Sequence, residues 1–314
     1  MNKPLLVLSL LLAACSPKTT LSFDSDNSIR ILETLAADDM QGRRTGTEGN
    51  AKARSFLNSE IMKLDVFDSV YETNFTTKPR PGRDGQIAED APVYEAVNLN
   101  ALIDVDDNDE GPLLVITAHY DHLGEHDGKI FNGADDNASG AAALFAAAQS
   151  FTDNPPDHDV LFIWFDAEEM GLQGARHYVA EKSFGNRPVF NFNLDMVSQN
   201  QEGEIYASGT YHTPALKAVM EKAAKGTGVT LLLGNDRPED GANDWTLQSD
   251  HGPFHLAGVP FLYLGVADHP HYHKHTDEFA TIPLPFYKKS LALIVNTAHA
   301  LDENLESLAK PVTP

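Results

Sequence analysis

Histidines and acidic residues follow four segments of this chain that are predicted to be buried strands. The segments and their followers are Leu113–Ala118 with His119 and Asp121, Val160–Phe165 with Asp166, Glu168 and Glu169, Phe190–Leu194 with Asp195, and Phe261–Val266 with Asp268, His269, His271, His273 and His275. Carboxylates that lie close together repel one another unless a cation neutralises them. If the four segments end at one place, the pattern predicts a metal site built from imidazole and carboxylate ligands.

The residue types limit which metal fits and how many ions are present. The chain has a single cysteine, Cys15, so a zinc site with several thiolates is excluded. Zinc is then the default for imidazole and carboxylate ligands, with manganese or cobalt as substitutes. One catalytic zinc uses three protein ligands. The larger number of candidates therefore predicts two ions that share a carboxylate.

An acidic turn between glycines supplies a carboxylate that could be shared. Gly133 and Gly140 flank this turn, which leads straight into an alanine-rich helix. We expect Asp135 to bridge the two ions. The residues that follow it in the turn could cap the helix instead, the candidates being Asp136, Asn137 and Ser139.

Glu168 and Glu169 form an acidic pair directly after a buried strand. Neighbouring side chains of an extended segment point in opposite directions. One glutamate could therefore bind metal while the other takes a proton from water and acts as general base.

The remaining sequence predicts the elements that position these groups. Apolar runs alternate with amphipathic segments, which indicates an α/β fold with three layers, a mostly parallel (mixed) central sheet and helices on both faces. Strands are predicted at 66–77, 93–104, 113–118, 160–165, 189–197, 204–208, 229–233 and 259–266. Helices are predicted at 28–39, 48–64, 138–151, 172–183, 213–226, 249–257 and 284–308. Because ligands of such sheets bind beyond the carboxyl ends of the strands, the polar groups should meet there.

The start of the chain resembles a bacterial lipoprotein signal. Residues 1–15 combine a basic start, an apolar run and small residues before Cys15. We expect lipidation of Cys15, a flexible tether at 16–27, and a single domain at 28–310. An ordinary cleaved signal is the alternative. A lipid anchor would be the only membrane attachment, and the resemblance to lipoprotein signals implies, from Ser16 after the cysteine, the periplasmic face of the outer membrane.

The charge of the chain argues against one class of partner. The 314 residues include 46 acidic and 23 basic residues, a formal net charge of −23. A surface this acidic repels phosphate backbones, so nucleic-acid binding is not expected.

Five ordered motifs resemble those of the co-catalytic zinc exopeptidases of peptidase family M28. They are His119-Tyr120-Asp121, Gly133 to Asn137, Asp166 to Gly171, Asn193-Leu194-Asp195 and Tyr272-His273, and the segment Gln41 to Gly46 is also similar. The resemblance runs from about residue 40 to about residue 300. It implies an exported bacterial enzyme of the aminopeptidase type with two Zn²⁺ ions per chain.

The resemblance also implies a role for each matching residue. His119 and Asp195 would hold one zinc, Glu169 and His273 the other, and Asp135 would bridge them. Glu168 would be the general base and Tyr272 would stabilise the oxyanion. Asp121, Asp136 and Asp250 would support the ligands without binding metal. The other histidines of the last segment are expected at the rim, with His275 as the substitute if His273 is not a ligand.

The expected reaction is hydrolysis of N-terminal residues from peptides with a free N-terminus, with attack by a water that bridges the metals. Asp195 and Glu168 are candidates for binding the substrate's ammonium group. A glutaminyl cyclase of the same fold, which the resemblance associates with one zinc, is an alternative. A carboxypeptidase is another alternative. It would need a basic pocket for the substrate's carboxylate, and nothing in the sequence gathers the arginines of this chain into one pocket. A non-catalytic binding lipoprotein would be expected to have lost ligands, and none is lost.

Overall fold

A computed structural model describes residues 21–80, 87–105, 110–181 and 184–311. The expected lipidation site, Cys15, lies outside these residues. The strands are β1 Ser69–Thr77, β2 Tyr94–Ile103, β3 Leu113–His119, β4 Gly124–His126, β5 Lys129–Phe131, β6 Asp159–Phe165, β7 Pro188–Leu194, β8 Glu204–Ser208, β9 Thr230–Leu233, β10 Phe261–Gly265 and β11 Lys310–Pro311. The helices are α1 Ser25–Leu35, α2 Glu48–Ile61, α3 Gly140–Asp153, α4 Gln173–Ala180, α5 Leu216–Ala223, α6 His251–Leu256, α7 Leu284–Asp302 and α8 Leu305–Leu308.

A mixed central sheet organises the described residues. Its strand order is β1-β2-β6-β3-β7-β10-β8-β9, and β11 adds to one end of β7. The four middle strands β6, β3, β7 and β10 run parallel, while β2 and β8 pair antiparallel on either side of them. The carboxyl ends of the four parallel strands therefore lie along one edge.

Helices cover both faces of the sheet. On one face, α1, α3, α5 and α7 contact one another and pack over inward-facing residues of the parallel strands. Trp164 of β6 is fully buried there, and its indole N–H donates to the carbonyl of Ala141 in α3. On the other face, α4 and α6 pack over Ile163 and Phe165. The three-layer α/β architecture predicted from the sequence is confirmed.

The near-continuous apolar strands explain why the middle of the sheet is inaccessible to water. Every residue of β3 and of β6 is buried. A strand that is buried on both faces is apolar at most of its positions, because neither face contacts solvent. Polar residues therefore gather where these strands end.

A short hairpin, β4 and β5, was not predicted. It pairs Gly124 with Phe131 around a turn at Asp127-Gly128. Both turn residues have positive φ, +52° and +70°, which is the conformation that an Asp-Gly hairpin turn requires. In the part of the chain that the structure describes, no helix has the length and apolar character needed to cross a bilayer.

Candidate metal centre

The parallel strands bring the sequence-predicted polar residues to one edge of the sheet. His119 is the last residue of β3, and Asp195 directly follows β7. Glu168 and Glu169 follow β6, and His273 lies in the segment after β10. Residues from four separate parts of the chain therefore meet, as the strand ends predicted.

The first cluster of ligand atoms surrounds the imidazole of His119. Its Nε2 lies 3.4 Å from Oδ1 of Asp136 and 3.4 Å from Oδ1 of Asp195. All three side chains are buried or nearly so. One imidazole with two carboxylates is a donor set that suits zinc.

The second cluster lies on the other side of Asp136. Oδ2 of Asp136 is 3.1 Å from Nε2 of His273 and 3.7 Å from Nδ1 of His122. Oε1 of Glu169 is 2.9 Å from that His122 nitrogen and 3.4 Å from Nε2 of His273. His122, Asp136 and Glu169 offer ligand atoms that all lie within 4.8 Å of one another.

The expectation that Asp135 bridges the two clusters needs correction. Its Oδ1 accepts hydrogen bonds from the backbone N–H and the hydroxyl of Ser198, both at 2.7 Å, and from the Ser139 hydroxyl at 3.2 Å. Its Oδ2 faces Nε2 of His269 at 3.1 Å. Asp136, expected only to support or cap, is the residue whose two carboxylate oxygens face the two clusters.

The turn between residues 133 and 139 fixes which carboxylate points inward. Asp277 accepts hydrogen bonds from the backbone N–H groups of Asp135 and Asp136. Asp136 itself has an extended conformation, φ −103° and ψ 94°. The expected capping role falls to Asn137, whose Oδ1 accepts from the N–H of Gly140 at the start of α3.

Gly133 is required at the start of this turn. Its φ is +54°, in the left-handed region that favours glycine. A Cβ built at this position would lie 2.1 Å from the carbonyl oxygen of Asp136 and 2.5 Å from the ring of His122. A larger residue would therefore displace ligand candidates of the second cluster.

A buried arginine holds the turn against the rest of the site. Arg43 is fully buried and donates to four backbone carbonyls, of Leu35, Tyr120, Asn132 and Gly133, at 2.5–2.9 Å. Burial lowers its pKa from 12.5 to about 10, and the carboxylates of the site oppose that shift. The cation thus contributes positive charge near the acidic cluster while tying the end of β3 to the turn.

The electrostatics of the clusters follow from burial and mutual attraction. Burial disfavours the charged form of Asp136, but His122, His119 and His273 hold its pKa well below its usual range. Burial and the charge of Asp136 oppose ionisation of Glu169, yet His122 and His273 lower its pKa to about 2. Both carboxylates are therefore ionised and available to a cation at neutral pH.

Several buried polar atoms at these clusters have no hydrogen-bond partner. They are both ring nitrogens of His122, Oε1 of Glu169 and Oδ1 of Asp195. A buried polar atom left unpaired costs about 1–3 kcal/mol. Because these orphaned atoms converge and belong to zinc-binding residue types, the residues present fit two metal ions that share Asp136.

Glu168 lies beside the first cluster with a different electrostatic environment. Burial raises its pKa well above the usual value, and the charges of Glu169, Asp250 and Asp195 add to this, while His119 opposes it. The pair Glu168-Glu169 is not extended as expected. It lies in a tight turn in which the carbonyl of Glu168 accepts from the N–H groups of Gly171 and Leu172.

Asp121 fixes that turn relative to the first cluster. Its two oxygens accept from the backbone N–H groups of Glu168 and Glu169 at 3.0 and 3.3 Å, and Oδ1 is 3.6 Å from Nδ1 of His119. Asp121 thus lies in contact with His119, as expected of a residue that orients a ligand. Asp250, also expected to support, is fully buried with neither oxygen hydrogen-bonded, and burial raises its pKa to about 8.

The segment after β10 contributes one more side chain to the edge of the site. The ring of Tyr272 stacks on that of His273 with centroids 4.0 Å apart. Burial raises the pKa of Tyr272, and nearby carboxylates raise it further, so its hydroxyl stays protonated. Of the expected rim histidines, His271 contacts the Thr276 hydroxyl, and the ring of His275 lies near Phe131.

Sequence reasoning missed His122. It lies three residues after His119, beyond the end of β3, and is buried. The rule that polar residues after a buried strand converge on the site applied to it as well. That rule could have placed His122 among the candidates.

This chain is similar to known proteins both in sequence and in fold. Residues 98–298 match the model of peptidase family M28. Aminopeptidase YwaD of Bacillus subtilis is 33% identical over 157 residues, which cover 47% of this chain and 30% of that protein. Leupeptin-inactivating enzyme 1 of Streptomyces exfoliatus is 27% identical over 233 residues, covering 73% of this chain and 45% of that protein. The chain thus matches less than half the length of these two relatives.

Solved structures share the fold at lower sequence identity. The zinc aminopeptidase BSAP from Bacillus subtilis aligns with a TM-score of 0.70 at 18% identity, covering 88% of this chain and 95% of that one. The glutaminyl cyclase of Fimbriiglobus ruber aligns with a TM-score of 0.69 at 19% identity, covering 92% and 99%. The family match spans the ends of β3, β6, β7 and β10, where the clustered ligands lie. This chain belongs to peptidase family M28.

Proposed function

We propose that this chain is a zinc-dependent aminopeptidase with two Zn²⁺ ions, which removes N-terminal residues from peptides. The observation that carries the proposal is the position of Asp136, whose Oδ1 faces His119 and whose Oδ2 faces His273 and His122. One carboxylate between two complete donor sets is the arrangement of a two-metal hydrolase. Membership of peptidase family M28 and the aminopeptidases among the similar proteins support it.

The residues of this chain have separable tasks in that reaction. When bound, zinc supplies a Lewis acid for the scissile carbonyl and lowers the pKa of water to about 7. Glu168, with a raised pKa, takes the proton of the attacking water and returns it to the leaving amine. Tyr272 remains protonated, so its hydroxyl can donate to the developing oxyanion.

Recognition of a free N-terminus requires negative charge near the scissile bond. Asp195 and Glu168 lie at the first cluster and are the candidates for binding the substrate's ammonium group. Burial raises the pKa of Asp195, while His119 and Ser249 oppose the shift. A substrate ammonium would act in the same direction as His119 and favour the ionised carboxylate.

The alternative within the same fold is a glutaminyl cyclase. The second cluster, with His122, Glu169 and His273 around Oδ2 of Asp136, favours hydrolysis, because it provides ligands for a second ion. Elemental analysis of the dialysed protein distinguishes the two. Two zinc ions per chain support the peptidase, and one supports the cyclase.

The decisive experiment compares aminoacyl-anilides with glutaminyl peptides before and after chelation, using the wild type and Glu168→Gln. We expect chelator-sensitive release of the aniline by the wild type, and a loss of at least about 100-fold in kcat for Glu168→Gln with zinc content unchanged. Glu202→Gln, an exposed glutamate, is the matched control. A near-normal rate for Glu168→Gln would refute the general-base role, and pyroglutamyl formation without anilide cleavage would refute the peptidase.

We also propose export as a lipoprotein acylated at Cys15 and held at the periplasmic face of the outer membrane. The support is the sequence of residues 1–15 and the position of the only cysteine. Intact-mass analysis of the membrane fraction should show a diacylglyceryl group on Cys15, and Cys15→Ser should move the protein to the soluble fraction. A soluble wild-type protein without acyl groups would contradict this.

A further inference from the structure

A cavity of about 300 Å³ adjoins the second cluster and contains two arginines. His122 and Glu169 line one part of it, and Arg44 and Arg80 line another. The cavity therefore places two guanidinium groups next to the ligands of the second cluster. The sequence alone did not bring these arginines together, because they lie 36 positions apart in different loops.

The side chains of both arginines lie near glycines. The side chain of Arg44 covers Gly124, where an added Cβ would lie 2.6 Å from Cβ and 3.2 Å from Cδ of that arginine. A Cβ added to Gly171, which lies in the turn that carries Glu169, would be 3.6 Å from Nε of Arg80. The absence of a side chain at Gly124 thus leaves room for the stem of Arg44.

The charges around the cavity leave the two arginines available for an anion. Among residues 21–80, 87–105, 110–181 and 184–311, no carboxylate forms an ion pair with Arg44 or Arg80. The carboxylates that line the cavity face other groups, since Asp121 accepts two backbone N–H groups and Glu169 belongs to the second cluster of ligand candidates.

We propose that this cavity binds a carboxylate of the substrate, so that the enzyme prefers peptides with a carboxylate close to the scissile bond. The inference rests on the proposed peptidase function and names its substrate class. Guanidinium groups match carboxylates through paired, charge-assisted hydrogen bonds. The carboxylate can belong to an acidic side chain or to the free C-terminus of a dipeptide, and the experiment separates these sources.

The test uses matched pairs of substrates that differ only in one carboxylate. A comparison of Ala-Asp-amide with Ala-Asn-amide examines the side chain after the scissile bond. A comparison of Asp-anilide with Asn-anilide examines the side chain before it. Ala-Ala with Ala-Ala-amide examines the free C-terminus. We expect kcat/KM about tenfold higher for the carboxylate member of at least one pair, and a preference that weakens as salt is added.

Arginine variants assign that preference to the cavity. Arg44→Gln and Arg80→Gln should each reduce the ratio within the preferred pair several-fold, and the double variant should bring it close to one. The matched control is Arg237→Gln, an exposed arginine that lines a separate cavity, which should leave the ratio unchanged. Because each ratio is measured within one variant, a loss of folded protein does not affect it.

A binding measurement separates failure of the inference from failure of the proposed function. Zinc-loaded Glu168→Gln is titrated calorimetrically with Ala-Asp-amide and Ala-Asn-amide, with and without the arginine substitutions. Tighter binding of the acidic peptide that depends on Arg44 and Arg80 supports the inference even if no peptide is hydrolysed. Hydrolysis without a carboxylate preference in any pair, or a preference that survives the double variant, overturns the inference and leaves the peptidase standing.

Discussion

Replacing each of the two adjacent aspartates of the turn by asparagine, in separate variants, gives the sharpest test of how the site is built. Asp136→Asn removes the negative charge from the residue whose two carboxylate oxygens face the two clusters, with Oδ1 at 3.4 Å from His119 and Oδ2 at 3.1 Å from His273. Changing a residue that merely supports a ligand already costs about 10–100-fold in metal affinity. For a shared ligand we expect about 100-fold at each cluster, or about 2.7 kcal/mol per ion.

Asp135→Asn provides the matched control one position away. Oδ1 of Asp135 only accepts hydrogen bonds, from two groups of Ser198 and from Ser139, and an amide oxygen can accept the same bonds. The lost charge weakens the pairing with His269. We expect a loss of about 1–3 kcal/mol in unfolding free energy, with less than a tenfold change in zinc affinity.

The assay is competition with a chelator of known zinc affinity, followed by elemental analysis of each variant after dialysis. Asp135→Asn should keep two zinc ions per chain, and Asp136→Asn should lose both under conditions that leave the wild type loaded. The reasoning is refuted if Asp135→Asn loses zinc while Asp136→Asn retains it. It is also refuted if Asp136→Asn loses only one ion.

Three further predictions concern residues around the clusters. His122→Asn should lower the zinc affinity of the second cluster about 10–100-fold and leave that of the first unchanged. A chelator titration should then show two unequal dissociation steps, and equal loss of both ions would contradict the prediction. Arg43→Met should lower the unfolding free energy by about 3–5 kcal/mol, measured by urea denaturation, because four buried carbonyls lose a charged donor; a loss below about 1 kcal/mol would contradict it. Burial lowers the pKa of His251 to about 3 in the folded protein, whereas the unfolded chain protonates this residue near pH 6.5. The contribution of His251 to the unfolding free energy is therefore fully present above pH 6.5. It is lost as the pH falls toward 3, at up to about 1.4 kcal/mol per pH unit. His251→Phe should show a shallower loss of unfolding free energy over that interval, and an unchanged slope would contradict the assignment.

The sheet was predictable because its middle strands carry an unambiguous pattern. β3 and β6 are buried at every position and nearly all apolar, the exceptions being Thr117 and His119 of β3 and Asp159 at the start of β6, so composition marks them as strands covered on both faces. The site followed from the same pattern, since His119 ends β3, Asp195 directly follows β7, and Glu169 lies four residues after β6. The edge hairpin around Asp127-Gly128 was overlooked because its strands are only three residues long.

The details that the sequence could not provide depend on backbone conformation in turns. Asp135 and Asp136 are adjacent and chemically identical, and only the extended conformation of Asp136 and the hydrogen bonds from their N–H groups to Asp277 decide which one faces inward. Likewise Glu168 and Glu169 diverge because they lie in a tight turn held by Asp121, and not because of strand alternation. The grouping of Arg44 with Arg80 required the tertiary structure, because neither arginine is near the other in sequence.

A crystal structure of the zinc-loaded protein, with anomalous diffraction recorded on both sides of the zinc absorption edge, tests the central claim most directly. We expect two anomalous peaks with Asp136 between them, one at His119 and Asp195 and the other at Glu169 and His273. One peak only, or two peaks with Asp136 bound to neither, would contradict it.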